Sequence, residues 1–462
     1  MYRFLLLAAL ISAGFAGASV LQFRLDGDRL WLTAENEPLP QLLERFTRAG
    51  VRVELDPELE NTVTGSWSGD PIEAVFDAML PDCDYLLDWQ RDTAPHGDLI
   101  RLTGLRVFRK GDSASAQPLR AARRVETSMD GAERFMAREI LIGFGPGSTL
   151  ADLHAFLVRT GGTVISANKL LGIYRILLPE GTNIPDLAAQ LANDSGITLA
   201  EPNYVYNLPE MTVPSKAATV SEWIAPSTDS PVAVAVLDSG LLAGADLGRA
   251  VISAFDATNP DVPLTEDAIG HGTLMAQLAA GQLDPYGSSV GEGVPVVAVK
   301  AFADDGMADN FTMMSAVTHA VETSSGPLSL SWGTETPSRF IESAMNYASS
   351  KGALIFAAVG NENTGAPIYP AAYKGVIGVA ASDGDRLADY SNRGDFVDLV
   401  APGSVDGSRG TSVATAYAAH VAALYMQHHP GATAADTVDA IREAVGPTGF
   451  LTAEAVRRLT AK

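Results

Sequence analysis

Near the start of the chain, hydrophobic residues follow a helical period twice, with short alternating segments between. One set with the spacing of an inner helix face comprises Leu39, Leu42, Leu43 and Phe46. A second set follows Pro71, a residue favoured in the first turn of a helix, and comprises Ile72, Val75, Phe76, Met79 and Leu80. Apolar positions of period two, typical of strands, occupy 30–32, 51–55, 85–89 and 99–102. The pattern predicts a small α+β domain over residues 19–108, the N-terminal domain.

The next periodic region begins near Arg138 and predicts elements in the order β-α-β-β-α-β. Its strands are predicted at 139–144, 163–167, 172–178 and 196–201. Its helices are predicted from Thr149, with Leu150, Leu153, Phe156 and Leu157 facing inward, and at 184–193. This order is that of a ferredoxin-like α+β unit, which we place at residues 138–207.

Toward the C-terminus, unbroken apolar and β-branched runs at 232–237 and 354–359 predict strands buried on both faces. Helices of small residues are predicted to begin near His271, ending at Gly281, and near Ser412. Strands of this kind are typical of sheets covered by helices on both sides, so the predicted fold class of residues 229–446 is α/β. A helical tail, 447–462, is predicted to follow.

Composition narrows the classes of function. The chain has 462 residues, so more than one domain is expected. Its net charge of −23 argues against nucleic acid or an anionic membrane surface as a partner. Cys83 is the single cysteine, so no intramolecular disulfide can form, and stability must come from packed cores or bound ions.

Three segments lie outside the predicted domains. Residues 1–18 combine an arginine, an apolar run at 4–11 and small residues at 16–18, which is the pattern of a secretory signal peptide. The run is shorter than the roughly 20 residues of a membrane-spanning helix. We therefore expect export to the periplasm, the cell envelope or the extracellular space, with no membrane span after signal removal. Residues 109–137 and 208–228 lack periodicity and are predicted linkers, the second accessible to cleavage.

Polar residues stand at four junctions of the buried elements. Asp238 and Asn361 follow buried strands, whereas His271 and Ser412 lie where helices of small residues begin. Each has an ordinary alternative, such as a turn asparagine or a serine that caps a helix. Together they supply the carboxylate, base, hydroxyl nucleophile and amide donor that acyl transfer needs. The other histidines fall on helical patterns or in a loop, so His271 is the predicted base.

Around these four residues the chain resembles the subtilisin-like serine proteases, over residues 231–445. The shared motifs are A-V-A-V-L-D-S-G-L at Asp238, H-G-T-L-M-A at His271, S-W-G at 331–333, A-A-V-G-N-E at Asn361 and G-T-S-V-A-T-A at Ser412. The resemblance implies a mainly parallel sheet and hydrolysis of peptide bonds. It implies Ser412 as nucleophile, His271 as general base and Asp238 as the orienting carboxylate, with the Asn361 amide and the Ser412 N–H holding the oxyanion.

The resemblance also implies where substrates bind. Peptide or protein substrates are expected to add as an edge strand along 329–333. The expected substrate-binding residues are Ser331, Trp332, Gly333, Gly360, Glu362 and Ile368. Ile368 stands where many relatives carry a small residue, so a shortened specificity pocket is expected. No cofactor is required; structural calcium is possible for this family, although no residues can be assigned to it.

Three departures from the family pattern concern the surroundings of the site. Leu274 stands where the family usually has a second histidine, and Ala416 and Tyr417 stand where Pro-His usually follow the serine. The loop 402–410 is short, which affects the substrate contacts usually made there. Neither change of side chains removes a group that transfers a proton.

The other two domains carry resemblances of their own. Residues 138–207 end near A-E-P-N-Y-V and resemble the inhibitory propeptide of many subtilisin-like proteases, which implies a self-processing zymogen with this prodomain bound in cis. Residues 34–102 resemble the secretin and TonB short N-terminal domain, which implies docking of an envelope protein through 19–108; a spacer is the alternative. The alternative for the whole chain is an inactive envelope binding protein in which the protease fold is a scaffold.

Overall fold

The structure is a computed structural model. It describes residues 19–94, 96–119, 124–129, 131–209, 226, 232–245, 247–260, 264, 266–287, 292–324 and 326–461. The predicted signal peptide and most of the predicted linker 208–228 lie outside these residues. The chain divides into two compact units, one of Met1–Arg123, Gly147–Ala167 and Ile176–Thr182, and one of Arg124–Pro146, Asn168–Arg175 and Asn183–Lys462.

The N-terminal domain lies in the first unit and contains two small sheets. Its elements are β1 (Ser19–Asp26), β2 (Arg29–Pro38), α1 (Leu39–Arg48), β3 (Arg52–Leu55), β4 (Thr62–Pro71), α2 (Ile72–Met79), β5 (Cys83–Ala94), β6 (Gly97–Arg109), a 3-10 turn at Ser113–Ser115 and β7 (Gln117–Leu119). The strand orders are β1-β2-β4 and β5-β6-β3-β7. Both helices bury the apolar faces predicted from their spacing. The rings of Phe46 and Phe76 meet between them, 5.6 Å apart, so the core of this domain is partly aromatic.

Regular structure occurs within the predicted linker 109–137. Leu119 of β7 pairs with Val53 of β3, and β8 (Val125–Thr127) pairs with β9 (Arg134–Phe144). The prediction of a linker is therefore wrong over these strands. They are too short to show a period of their own. Strand β7 is ordered by pairing with the distant β3, and β8 by pairing with β9, the next strand along the chain.

The prodomain elements follow the predicted order. After β9 come α3 (Leu150–Thr160), β10 (Thr163–Asn168), β11 (Ile173–Leu177), α4 (Ile184–Leu191) and β12 (Ile197–Asn207). Helix α3 begins with a capping box between Thr149 and Asp152, which satisfies otherwise unpaired N–H groups, and ends at Gly161 in the left-handed conformation. In the second unit, β12 pairs antiparallel with β9.

The C-terminal part of the chain forms an α/β domain, which we name the catalytic domain after its predicted role. Its elements are β13 (Val234–Asp238), a 3-10 turn at Gly248–Ala250, β14 (Val251–Asp256), α5 (His271–Ala279), β15 (Val296–Lys300), β16 (Met307–Asp309), α6 (Asn310–Thr323), β17 (Leu328–Leu330), α7 (Arg339–Ser350), β18 (Ile355–Ala358), β19 (Val376–Asp383), β20 (Arg386–Leu387), β21 (Leu399–Pro402), β22 (Ser404–Val405), β23 (Ser408–Arg409), α8 (Thr411–His428), α9 (Ala434–Val445), a 3-10 turn at Gly446–Thr448 and α10 (Ala453–Leu459).

The main sheet of this domain has the order β14-β15-β13-β17-β18-β19-β20, and β21 also pairs with β19. All these pairings are parallel except that of β19 with β20. Every residue of β13 and β15 is buried, since one apolar cluster covers each face of the sheet. The predicted α/β fold with a mainly parallel sheet is confirmed.

The predicted C-terminal tail is helical and packs on the same core. Ala455 and Leu459 of α10 belong to the apolar cluster that also contains the buried residues of α5 and α8. In the described part of the chain, no helix is both long and apolar enough to cross a bilayer.

Candidate active site

Asp238 is the last residue of β13, a central strand of the parallel sheet. Its carboxylate is buried, and Oδ1 accepts hydrogen bonds from the Ser239 N–H at 2.8 Å and from Nδ1 of His271 at 2.7 Å. A buried carboxylate is tolerated where such donors meet it. The sheet therefore fixes the position of Asp238, and Asp238 in turn orients the imidazole.

His271 begins helix α5, directly after Gly270, whose φ of 86° is left-handed. Because a carboxylate can only accept, Nδ1 carries the hydrogen that Asp238 receives, and Nε2 keeps its lone pair. Nε2 is buried and has no hydrogen-bond partner among the described residues. The ring thus has one nitrogen, Nε2, with a lone pair that can accept a proton.

A second carboxylate, Asp267, holds the turn that carries His271. Its oxygens accept from the N–H groups of Ile269 at 2.8 Å and Gly270 at 2.7 Å, and from the Ser239 hydroxyl at 2.9 Å. The Ser239 oxygen then accepts from the Gly272 N–H at 2.9 Å. The network ties the end of β13 to the start of α5. Sequence reasoning missed Asp267, because two of its three donors are main-chain N–H groups and the third, Ser239, lies 28 residues earlier in the chain.

Gly272 allows the closest approach in this network. A Cβ atom on residue 272 would lie 2.4 Å from the carbonyl oxygen of Gly240 and 2.8 Å from its nitrogen. Backbone cannot yield as a flexible side chain does, so the contact requires glycine. The glycine that follows His271 is therefore explained by packing against the turn after Asp238.

Ser412 is the second residue of α8 and is buried. Its hydroxyl donates to the Ser331 carbonyl at 3.3 Å, and the Ser331 hydroxyl donates to the Ser412 carbonyl at 3.4 Å. These bonds anchor the first turn of α8 to the end of β17. In this arrangement the Ser412 hydroxyl donates to the Ser331 carbonyl and not to Nε2 of His271.

Asn361 lies in the turn after β18, and the residue is half-buried. Its Oδ1 accepts from the N–H of Thr411 at 2.9 Å and from the Thr411 hydroxyl at 3.1 Å. Two donors on one side fix which end of the amide is oxygen, so the NH₂ group points the other way. An amide held in this manner beside Ser412 is available as a donor.

The turn after β18 is organised by Asn392, which the sequence analysis did not single out. Its Oδ1 accepts from the N–H groups of Glu362 at 3.0 Å and Thr364 at 2.9 Å, while its NH₂ donates to Glu362 at 3.0 Å. This arrangement holds the loop that begins with Asn361. Local spacing in the sequence does not reveal this role, because the partners of Asn392 lie 28 and 30 residues away.

A cavity of about 470 Å³ lies beside these residues. Five of the six predicted substrate-binding residues line it, namely Trp332, Gly333, Gly360, Glu362 and Ile368, whereas Ser331 is buried behind the lining. Thr411, the neighbour of Ser412, also lines it. A Cβ atom on Gly333 would lie 2.3 Å from Cγ2 of Ile368, so the branched side chain closes one side of the cavity.

The predicted edge strand at 329–333 is wrong at its first residue. Ser329 pairs with Val236 of β13 on one side and with Phe356 of β18 on the other, so it has no open edge. The open pairing edge is β16, to which prodomain strand β12 adds antiparallel, with Tyr206 opposite Ala308. The pairing continues as the Leu208 N–H donates to the Gly306 carbonyl at 2.9 Å.

The end of the prodomain therefore forms part of the wall of the cavity. Asn207, Leu208 and Pro209 line it together with Trp332 and Gly333. An extended segment that adds to a sheet edge and ends in a lined cavity has the geometry of a bound peptide.

Two prodomain side chains meet helix starts of the catalytic domain. Glu201 accepts from the Arg339 N–H at 3.0 Å and the Ser338 hydroxyl at 2.7 Å, at the start of α7. Asn203 accepts from the Phe311 N–H at 3.1 Å, at the start of α6. Helix N-termini have unpaired N–H groups and attract negative charge. Burial, only partly offset by these bonds, raises the pKa of Glu201. Protonation of Glu201 therefore favours the docked prodomain at low pH, and this contribution is lost as the pH rises through the raised pKa of Glu201.

A buried cation joins the same interface. Arg175 donates to Glu139 through Nε at 2.8 Å and Nη2 at 3.0 Å, and its Nη2 lies 3.6 Å from Asp309 at the N-cap of α6. Both carboxylates hold the pKa of Arg175 above its ordinary value despite burial, which acts in the opposite direction. The prodomain thus presents a charged group as well as a strand to the catalytic domain.

The departures from the family pattern are core residues. Leu274 and Tyr417 are buried in the apolar cluster between α5 and α8. Burial raises the pKa of Tyr417, so its hydroxyl stays protonated at neutral pH. No group of three or more His, Cys, Asp or Glu side chains within the described residues could hold a metal ion, so no calcium site is assigned.

Comparison with known protein families gives two matches. A family model described as "Subtilase family" matches residues 229–456, and one described as "Fervidolysin N-terminal prodomain" matches residues 122–203. Neither covers the N-terminal domain, so its resemblance to the secretin and TonB domain stays a prediction.

Individual relatives agree with these matches. The thermophilic serine proteinase of Bacillus sp. (strain AK1) is 30% identical over 315 residues, which are 63% of this chain and 78% of that protein. The minor extracellular protease Epr of Bacillus subtilis (strain 168) is 32% identical over 225 residues, 46% of this chain and 34% of that protein. Among solved structures, fervidolysin from Fervidobacterium pennivorans, a keratinolytic enzyme related to subtilisin, aligns with a TM-score of 0.58 at 19% identity. That alignment covers 74% of this chain and 63% of fervidolysin. At this identity it shows that the two chains share a fold.

The close approach at Gly272 makes a prediction about stability. Gly272→Ala should lower the free energy of unfolding by about 1 to 3 kcal/mol, because its Cβ would collide with the main chain of Gly240. Calorimetry in a Ser412→Ala background would show a lower midpoint temperature. Gly365→Ala is the matched control, since its nearest contact would be 3.7 Å away. Equal midpoints for the two variants would contradict the contact.

Proposed function

The chain belongs to the subtilase family and is a serine endopeptidase, and we propose that Ser412, His271 and Asp238 form its catalytic triad. The observation that carries the proposal is the buried His271 ring, whose Nδ1 is held by Asp238 at 2.7 Å while Nε2 is left without a partner. Ser412 supports it as the hydroxyl at the start of α8, beside Asn361 and the cavity.

In the proposed mechanism, Ser412 turns its hydroxyl from the Ser331 carbonyl toward Nε2 of His271. Nε2 takes the proton as Oγ attacks the carbonyl carbon, and the imidazolium is stabilised by Asp238. As the C–N bond breaks, the proton passes from Nε2 to the leaving amine and an acyl ester remains on Ser412. Water then attacks this ester, His271 takes the proton of the water, and its transfer to Oγ of Ser412 releases the acid product. Negative charge that develops on the carbonyl oxygen is met by the NH₂ group of Asn361 and the N–H of Ser412.

The prodomain is proposed to keep the enzyme silent by occupying the substrate cleft in cis. Strand β12 pairs with β16, and Asn207 to Pro209 reach the cavity that the predicted substrate-binding residues line. A covalently linked segment acts at a high effective concentration, so even modest contacts keep the cleft filled. Cleavage of the chain after this segment would end the linkage.

Export is also proposed. The signal-peptide pattern of residues 1–18 supports it, and one relative is named as an extracellular protease. Docking of an envelope protein through 19–108 stays a prediction from sequence. The inactive-scaffold alternative is separated from the protease by hydrolysis of casein and its loss after covalent modification of a serine.

Self-processing gives the first test. The wild type should yield a fragment that begins between Asn207 and Ala225, whereas Ser412→Ala should remain one chain of residues 19–462, because the nucleophile is missing. Mass spectrometry of both proteins after prolonged incubation measures the outcome. If both stay intact, self-processing is wrong and the inactive scaffold gains support; if both are cut alike, another protease is responsible.

Asn361 gives a second test, on the matured enzyme. Asn361→Leu should lower kcat with little change in KM, by about 3 to 4 kcal/mol of transition-state stabilisation, a magnitude known for this donor in the subtilisin family. Thr411→Val is the matched control, because it removes one bond to Asn361 but leaves the amide and the main-chain donor in place. A normal kcat for Asn361→Leu would exclude the amide from the oxyanion site.

The cavity gives a third test. Ile368 narrows it beside Gly333, so peptides with Phe before the cleaved bond should react more slowly than matched peptides with Ala or Leu. The difference in kcat/KM should be about tenfold to a hundredfold, as expected for one or two methylene groups. Ile368→Ala should raise the rate for Phe relative to Ala. Preference of the unaltered enzyme for Phe would contradict a shortened pocket.

A further inference from the structure

The N-terminal domain packs against prodomain residues within the first compact unit. Ala49, at the end of α1, shares an apolar cluster with Ile165 of β10 and Leu177 of β11, and Phe23 of β1 packs on it. Ala49, Ile165 and Leu177 are each at most 6% exposed. The N-terminal domain therefore buries apolar surface that belongs to the prodomain.

Two hydrogen bonds cross the same boundary. The Leu25 N–H donates to the Thr163 hydroxyl at 3.1 Å, and both groups are buried. The Arg101 guanidinium donates to the Ile165 carbonyl at 2.7 Å. Thr163 and Ile165 are alternate residues of β10, so both bonds engage one stretch of a single strand, and Ile165 also belongs to the apolar cluster.

This boundary differs from a tether between independent domains. Linked domains that move freely keep their polar groups in water, whereas here a main-chain N–H of one domain is satisfied by a buried side chain of the other. The prodomain alone is a domain of small size, for which a single hydrophobic core gives marginal stability. Ile165 and Leu177 would be exposed without the partner, so the N-terminal domain supplies part of the core that the prodomain lacks.

We propose that the N-terminal domain is a clamp that binds β10 and β11 of the prodomain and keeps the prodomain folded as an inhibitor. The proposal rests on the zymogen function proposed above. It assigns the surface formed by Phe23, Ala49 and Arg101 to an intramolecular partner, the prodomain. After the chain is cut beyond Pro209, the clamp and the prodomain stay together, and their association sets how long inhibition lasts.

The test uses the full chain with the double change Arg101→Ala and Thr163→Val. It removes the bonds to the Ile165 carbonyl and from the Leu25 N–H, and each loss should weaken the association by about tenfold. Peptidase activity should then appear earlier than in the wild type, with the same final kcat/KM. Arg106→Ala is the matched control, because Arg106 pairs with Glu54 inside the N-terminal domain.

A second measurement is independent of activity. In a Ser412→Ala background, hydrogen exchange of the amides in α3 and β10 should be at least about tenfold faster in the double variant than in Arg106→Ala. Unchanged exchange together with an unchanged onset of activity would overturn the clamp. If no variant gains activity and a serine-directed reagent labels none of them, the proposed function fails, and the exchange rates alone then decide on the clamp.

Discussion

The hydrogen bond between Asp238 and His271 is the interaction on which the rest of the site depends. Both side chains are buried, so each needs its partner more than an exposed pair would. The bond can form because the start of α5 packs against the turn after β13. This packing requires a residue without a Cβ atom at Gly272, and it is held by the N–H groups that donate to Asp267. The proposed proton transfer depends on this ring, because its Nε2 is left without a partner among the described residues.

What the sequence predicts well is what local spacing determines. The buried faces of α1 and α2 match their periodic leucine and phenylalanine positions because one stretch of chain carries the whole pattern. Asn392 and Asp267 could not be found in this way. Asn392 accepts from main-chain groups 28 and 30 residues away, and a main-chain donor leaves no mark in the sequence.

The strand edge at which substrate is expected to bind was also beyond what local spacing in the sequence can predict. The run containing Ser329 is apolar enough to be a strand, but position in the sheet decides whether a strand has an open edge, and β17 is central. The open edge belongs to β16, three residues long and without a period. Its importance follows from what pairs with it, which is a strand about a hundred residues earlier in the chain.

Release of the prodomain would separate the buried charge of Arg175 from Asp309 of the catalytic domain. A buried charge that loses its partner is strongly destabilising, so an inhibitor that had to abandon an ion pair would leave with difficulty. Arg175 lies 3.6 Å from Asp309 across the interface, but its shorter bonds, at 2.8 and 3.0 Å, are to Glu139 of the prodomain itself. On release the arginine therefore keeps its principal partner. Asp309 keeps the Thr312 N–H that it caps. The ion pair across the interface can thus guide docking without making it irreversible.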